Sequence, residues 1–185
     1  MKDAVLIIDD EPNVLAALKR TLVDEPYEIY SANNGADGLE MMRRGTIKVV
    51  ISDEKMPAMS GTEFLARAKE CCPDTIRIML TGYASLEAAM KAVNKGEIYR
   101  FFSKPWNETE LRLSIRSALE KYNLEAENRR LLKIVKRQAI NLRLIESQYP
   151  NITKLQKDRE GNLILPDISE EEFDRIVLQC EREFT

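Results

Sequence analysis

Four short apolar runs in the first 105 residues each end on a group able to do chemistry. Val5-Leu6-Ile7-Ile8 leads into Asp9-Asp10, and Val49-Val50-Ile51-Ser52 into Asp53. Ile78-Met79-Leu80 leads into Thr81, and Phe101-Phe102-Ser103 into Lys104. Adjacent carboxylates repel, and burying either of them costs more than the neighbouring apolar residues return. Brought together, Asp9, Asp10 and Asp53 demand a counter-charge, and an all-oxygen donor set of this kind suits Mg²⁺. A carboxylate that attacks phosphorus needs such a cation, and a lysine ammonium stabilises the oxygens in transfer. The set therefore reads as aspartyl-phosphate chemistry. The chain has no G-x-x-x-x-G-K-[ST] loop, so a bound nucleoside triphosphate is not the expected donor. It also has no histidine, which removes imidazole-ligated metals and Ser-His-Asp catalysis, and any phosphohistidine must belong to a partner.

The elements that would position these groups alternate. Strand patterns at Ala4–Ile8, Tyr27–Ala32, Ile47–Ser52, Ile76–Leu80 and Ile98–Ser103 are separated by helical spacing over Pro12–Val23, Gly35–Arg44, Gly61–Glu70 and Ser85–Lys95. A fifth helix is capped by Asn107. This alternation predicts an α/β fold with a five-stranded, doubly wound parallel sheet in the order 2-1-3-4-5. In that order strands 1 and 3 are neighbours, and their carboxyl ends, where open α/β sheets place function, bring Asp9, Asp10 and Asp53 beside Thr81 and Lys104.

From Glu108 no glycine or proline interrupts the helical pattern before Tyr149-Pro150. Unbroken, it is about 40 residues, or roughly 60 Å. Leu124, Asn128, Leu131, Val135, Gln138, Leu142, Ile145 and Tyr149 recur at steps of four and three, a heptad seam. It is out of phase with Leu111, Ile115, Ala118 and Tyr122, the stripe expected on the sheet. Asn128 at an a position favours a parallel two-stranded register, so the 121–149 helix is expected to make a homodimer. Beyond it, Ile152–Gln156 and Leu163–Pro166 flank a turn, and Ser169-Glu170-Glu171-Glu172 opens a final amphipathic helix. The expected organisation is a domain over 1–120, a helical coiled-coil linker over 121–149 and a small hairpin-plus-helix module over 150–185.

Asp9-Asp10, then Asp53-Glu54-Lys55-Met56-Pro57-Ala58-Met59-Ser60-Gly61, Thr81-Gly82, and Phe101 ahead of Lys104-Pro105 together resemble the receiver domain of two-component response regulators, the CheY-like family. The resemblance covers residues 1 to about 120. It implies that a partner histidine kinase phosphorylates Asp53, with Mg²⁺ held by Asp10, Asp53 and the Lys55 carbonyl and by Asp9 through water. It further implies that Thr81 and Lys104 contact the phosphoryl group, that Phe101 moves with Thr81 as the switch, and that Lys104-Pro105 is cis. The signal would leave through the face of strands 4 and 5 and the helices after them. Gly82 stands where the family usually has alanine. Lys55 and Tyr83 are bulky where the family tunes the access of hydrolytic water, so slow self-dephosphorylation is expected. The stretch from Gly96 to Trp106 most resembles receivers of hydrogenase-type regulators or cyclic-dinucleotide phosphodiesterases.

Net charge is −3, with 28 Lys+Arg against 31 Asp+Glu, so no bulk attraction to nucleic acid or anionic lipid is written into the chain. Residues 121–149 carry an excess of four positive charges, but neither a helix-turn-helix break nor interleaved aromatics accompany them, and DNA is not the expected partner. Cys71, Cys72 and Cys180 form no disulfide framework, and no leader or membrane-spanning run is seen, which points to the cytoplasm. The expected role is a switch rather than an enzyme, acting on an output protein that the chain does not name. The competing readings are a transcription factor using the basic helix, a regulator with a catalytic output beyond Thr185, and a haloacid-dehalogenase-like phosphatase. The last wants D-x-D where this chain has Asp9-Asp10-Glu11-Pro12.

Overall fold

The structure, a computed structural model, describes residues 3–45, 47–82, 98–148, 156–157, 163–164, 169–171 and 174–175. Tyr83 and the helix expected over Ser85–Lys95 lie outside the described residues, as does Tyr149. The chain divides into two compact units, Met1–Arg129 and Arg130–Thr185.

In the first unit β1 (Ala4–Ile8), β2 (Glu28–Ala32), β3 (Val49–Asp53), β4 (Ile76–Thr81) and β5 (Arg100–Ser103) form one parallel sheet in the order β2-β1-β3-β4-β5. The helices are α1 (Pro12–Thr21), α2 (Gly35–Arg44), α3 (Gly61–Cys71) and α4 (Glu108–Gln148). Every residue of β1 and β3 is buried, as a parallel strand covered on both faces requires. The period of two splits their side chains into two cores. Leu6, Ile8, Val50 and Met79 pack with Leu39, Met42 and Phe64 of α2 and α3. Val5, Ile7, Ile51, Ile78 and Leu80 pack with Leu18 of α1 and with Leu111, Ile115 and Ala118 of α4. Each fully buried aliphatic side chain contributes about 1.5–3 kcal/mol, so the sheet's interior strands anchor the ends that carry Asp9 and Asp53.

Several element ends move by one or two residues relative to expectation. Asp53 and Thr81 belong to their strands, because the ladder still pairs Asp53 with Leu80 and Thr81 with Ser103. Helix α1 stops at Thr21, before the expected Val23. There the Val23 N–H reaches back only three residues to Arg20, and Val23 is exposed.

Helix α4 starts where Asn107 accepts the Glu110 N–H at 3.0 Å and runs 41 residues without a break. In the second unit, β6 (Gln156–Lys157) and β7 (Leu163–Ile164) pair antiparallel within the expected hairpin, the rest of which lies outside the described residues. Residues 170–171 and 174–175 are helical. Among the described residues no helix is long and apolar enough to cross a membrane.

Candidate functional site

The carboxyl ends of β1, β3, β4 and β5 bring Asp9, Asp53, Thr81 and Lys104 together. Lys104 Nζ lies 2.7 Å from Asp9 Oδ2 and 2.5 Å from Asp53 Oδ1, so one ammonium bridges the two strands. The other oxygen of each carboxylate faces main chain. Asp9 Oδ1 accepts the Glu11 N–H at 3.0 Å, and Asp53 Oδ2 accepts the Lys55 N–H at 2.8 Å. The Lys104 N–H donates to the Thr81 carbonyl at 2.8 Å, extending the β4–β5 ladder to the lysine itself, and Lys104-Pro105 is cis.

The electrostatics follow from burial. Asp9 is fully buried, and this holds its carboxyl above the ordinary aspartate value despite the hydrogen bonds from Lys104 and Glu11. Burial pulls Lys104 down, but its hydrogen bonds to Asp53 and Asp9 outweigh that and leave the ammonium above the usual lysine range. Asp10 is half-buried at the same corner. One cation thus faces two buried carboxylates and a third close in sequence. Among the described residues no three acidic, cysteine or histidine side chains gather closely enough to hold a metal by themselves. A site of few carboxylates and residual negative charge fits a hard divalent ion that keeps much of its own water, as Mg²⁺ does.

Around these groups the chain makes room. A Cβ on Gly61 would stand 2.1 Å from the Asp53 carbonyl oxygen, so the helix after the acidic loop approaches this closely only through glycine. Glu54, a residue that sequence reasoning passed over, accepts both the N–H and the hydroxyl of Thr62 and fixes the start of α3. Its only trace in the sequence is a carboxylate eight positions before a threonine. Thr81 is buried, and its hydroxyl donates to the Gly82 carbonyl at 3.1 Å. Among the described residues nothing lies within 4 Å of where a Cβ on Gly82 would stand. Phe101 and Phe102 point to opposite faces, Phe101 half-buried and Phe102 buried. Lys55 is exposed. Trp106 packs on the α1–α4 core, and burial pushes the Cys72 thiol up to about 11, consistent with packing roles. Neither of two surface clefts, about 460 Å³ beside Asn33 and Met41 and about 250 Å³ beside Arg20 and Trp106, includes the carboxylates.

Comparison with known proteins agrees with this fold. The profile of the response regulator receiver domain matches residues 5–116. The hydrogenase transcriptional regulatory protein HoxA of Cupriavidus necator is 33% identical over 69% of this chain and 26% of its own length. The transcriptional regulatory protein GlrR of Escherichia coli is 33% identical over 77% of this chain and 32% of its own. The chain thus spans about a quarter to a third of these curated relatives. A solved receiver domain of an HD domain-containing protein from Pseudomonas fluorescens is 37% identical, with a TM-score of 0.64 over 68% of this chain and 93% of that one. An adenylate cyclase structure from Rhodopirellula baltica is 31% identical, with a TM-score of 0.68 over 72% of this chain and 98% of that one. With the five-stranded order, the acidic strand ends and the bridging lysine in place, the chain belongs to the receiver-domain family of two-component response regulators.

Proposed function

We propose that Asp53 accepts a phosphoryl group from a phosphohistidine on a partner kinase, and that the chain passes the resulting state to an output through its long helix α4. The observation that carries this reading is the Lys104 ammonium shared between Asp9 and Asp53 at adjacent strand ends. An Asp53 carboxylate oxygen forms the new O–P bond while the P–N bond to the kinase imidazole breaks, and the imidazole leaves with the bonding pair. Asp10, Asp53 and the Lys55 carbonyl would hold Mg²⁺, with Asp9 acting through water. The ion would offset repulsion between the carboxylates and the incoming anion. Lys104 can turn from the carboxylate to the phosphoryl oxygens without leaving its place. The Thr81 hydroxyl, spent on a neighbouring carbonyl, can exchange that acceptor for a phosphoryl oxygen, and half-buried Phe101 on the next strand has room to follow.

For the output, α4 supplies a seam. Leu124, Leu131, Val135 and Leu142 are all more than half exposed, and an apolar row of this kind on a soluble helix marks an interface. A second copy of the chain, in parallel register through Asn128, is the partner this seam fits. DNA contact, which the names of the curated relatives raise, would be carried by the basic residues of the same helix. The deciding experiment is titration with beryllofluoride, a phosphoryl mimic, in Mg²⁺, read by tryptophan emission from Trp106 and by sedimentation. Saturable, Mg²⁺-dependent binding that Asp53→Asn abolishes is the expected result, with a changed dimer constant. Binding that survives Asp53→Asn sinks the assignment.

A further inference from the structure

The profile match ends at residue 116, yet the compact unit that contains it runs on to Arg129. The intervening turns of α4 are held by a cluster at the opposite ends of the two strands that carry the acidic site. Asp3 immediately precedes β1, and Lys48 immediately precedes β3. Lys48 Nζ lies 2.5 Å from Asp3 Oδ1 and 2.7 Å from Asn123 Oδ1, and Asn123 Nδ2 donates to Asp3 Oδ2 at 3.5 Å. The same ammonium stands 5.4 Å from the centre of the Tyr122 ring. Lys48 and Asp3 are themselves fixed by main chain. The Lys48 N–H donates to the Ala4 carbonyl at 3.0 Å, and the Asp3 carbonyl accepts the Glu28 N–H at 2.8 Å. Two turns further on, Arg129 pairs with Asp74 at 3.1 Å, ahead of β4. The side chains of Lys48 and Asp3 are only 20% and 30% exposed, so water screens this cluster less than an ordinary surface pair.

The cluster also fixes a rotation. Residues two apart on a helix project about 200° from one another. Tyr122 and the buried row of Leu111, Ile115 and Ala118 face the sheet, so Leu124 and Asn128, the first seam positions, face away from it. From these observations we propose that Asp3, Lys48 and Asn123 form a clamp that makes the helix through Arg129 part of the receiver body. The first seam positions, Leu124 and Asn128, are then held with the receiver, with no hinge between residue 116 and Arg129. This rests on the reading of Asp53 as phosphoacceptor and of the seam as a dimer contact. It adds the means by which the first controls the second: both strands that end in the site's buried carboxylates, β1 and β3, begin at the clamp.

The test uses the full chain with Lys48→Met, which keeps the stem of the side chain and removes its charge and donors, and with Asn123→Ala as a second variant. Neither residue is in the acidic site, so beryllofluoride binding in Mg²⁺ should stay intact and serves as the check of folding. Amide exchange over 120–128 should be slow in the natural chain and rise about tenfold or more in the variants as local opening becomes easier. The dimer constant of the natural chain should shift about tenfold on adding beryllofluoride, and in the variants less than about twofold. Variants that keep both the slow exchange and the full shift overturn the clamp alone. A natural chain that binds beryllofluoride yet stays monomeric, or dimerises with an unchanged constant, overturns the dimer output and the coupling with it.

Discussion

At the level of single residues, the site balances one ammonium against carboxylates that burial has already made expensive. Asp9 is the clearest case, since burial outweighs its hydrogen bonds and lifts its carboxyl above 3.8. A carboxyl whose folded pKa lies above its unfolded one binds its proton more tightly in the native state. Its ionised form therefore costs stability, fully above the raised pKa, and the cost fades as pH falls through that value toward 3.8. Asp9→Asn should stabilise the fold at about pH 7 by on the order of 1 kcal/mol, seen as a higher urea midpoint at unchanged slope. The advantage should shrink on acidification, and a midpoint at or below that of the natural chain at neutral pH refutes the account. Lys104 works in the other direction. With its pKa raised, its ion pairs contribute fully below 10.5 and are lost only as pH climbs through the higher folded value. Glycine offers a steric contrast. Gly61→Ala forces a Cβ to within 2.1 Å of the Asp53 carbonyl oxygen and should destabilise by about 2–3 kcal/mol. Gly82→Ala, whose new Cβ meets none of the described residues within 4 Å, should change stability by less than about 0.5 kcal/mol. Equal midpoints for the two variants would show that the close approach at Gly61 is not what requires glycine there.

Among the elements, helix starts do much of the positioning, and Ser60 marks the one that follows the acidic loop. Its hydroxyl accepts the Glu63 N–H at 3.1 Å and opens α3 directly after the acidic loop. Ser60→Ala should cost about 1 kcal/mol, measured by chemical denaturation, and Ser60→Asp should restore most of it because a carboxylate also suits a helix N-terminus. No loss in the alanine variant would mean that Glu54 alone holds that end. Most of this architecture was legible in the residues themselves. Runs such as Val5–Ile8 and Val49–Ile51 are apolar at every position, which only a strand covered on both faces tolerates, and their order with the intervening helices left few topologies. The convergence of Asp9, Asp53, Thr81 and Lys104 was legible for the same reason: a polar group that closes a buried strand has few places to go. What escaped was set by three-dimensional contact. The carbonyl that excludes a side chain at Gly61, the carboxylate of Glu54 turned to Thr62, and the Asp3–Lys48–Asn123 cluster join residues that are far apart or ordinary in type. No periodicity announces them.

For the molecule as a whole, the question is whether the long helix associates through its seam. Val135 tests it cleanly, because it lies mid-seam and is 59% exposed in the single chain. An exposed site tolerates polarity, so Val135→Glu should leave the midpoint of receiver unfolding within about 0.5 kcal/mol of the natural chain. In a two-stranded seam the same substitution places two carboxylates against each other at an a position, where a buried unpaired charge is strongly unfavourable. Sedimentation of the natural chain should then show a concentration-dependent dimer, and the variant a monomer across the same range. Leu132 is comparably exposed, at 54%, but lies outside the heptad seam, so Leu132→Glu should leave a seam dimer largely in place. The pair separates a specific coiled coil from general stickiness of an apolar helix. If both substitutions dissociate the dimer equally, the contact is not the heptad seam. If the natural chain is already monomeric at tens of micromolar, the exposed row has some other partner. The Leu124–Leu142 surface would then belong to an output protein and not to a second copy of this chain.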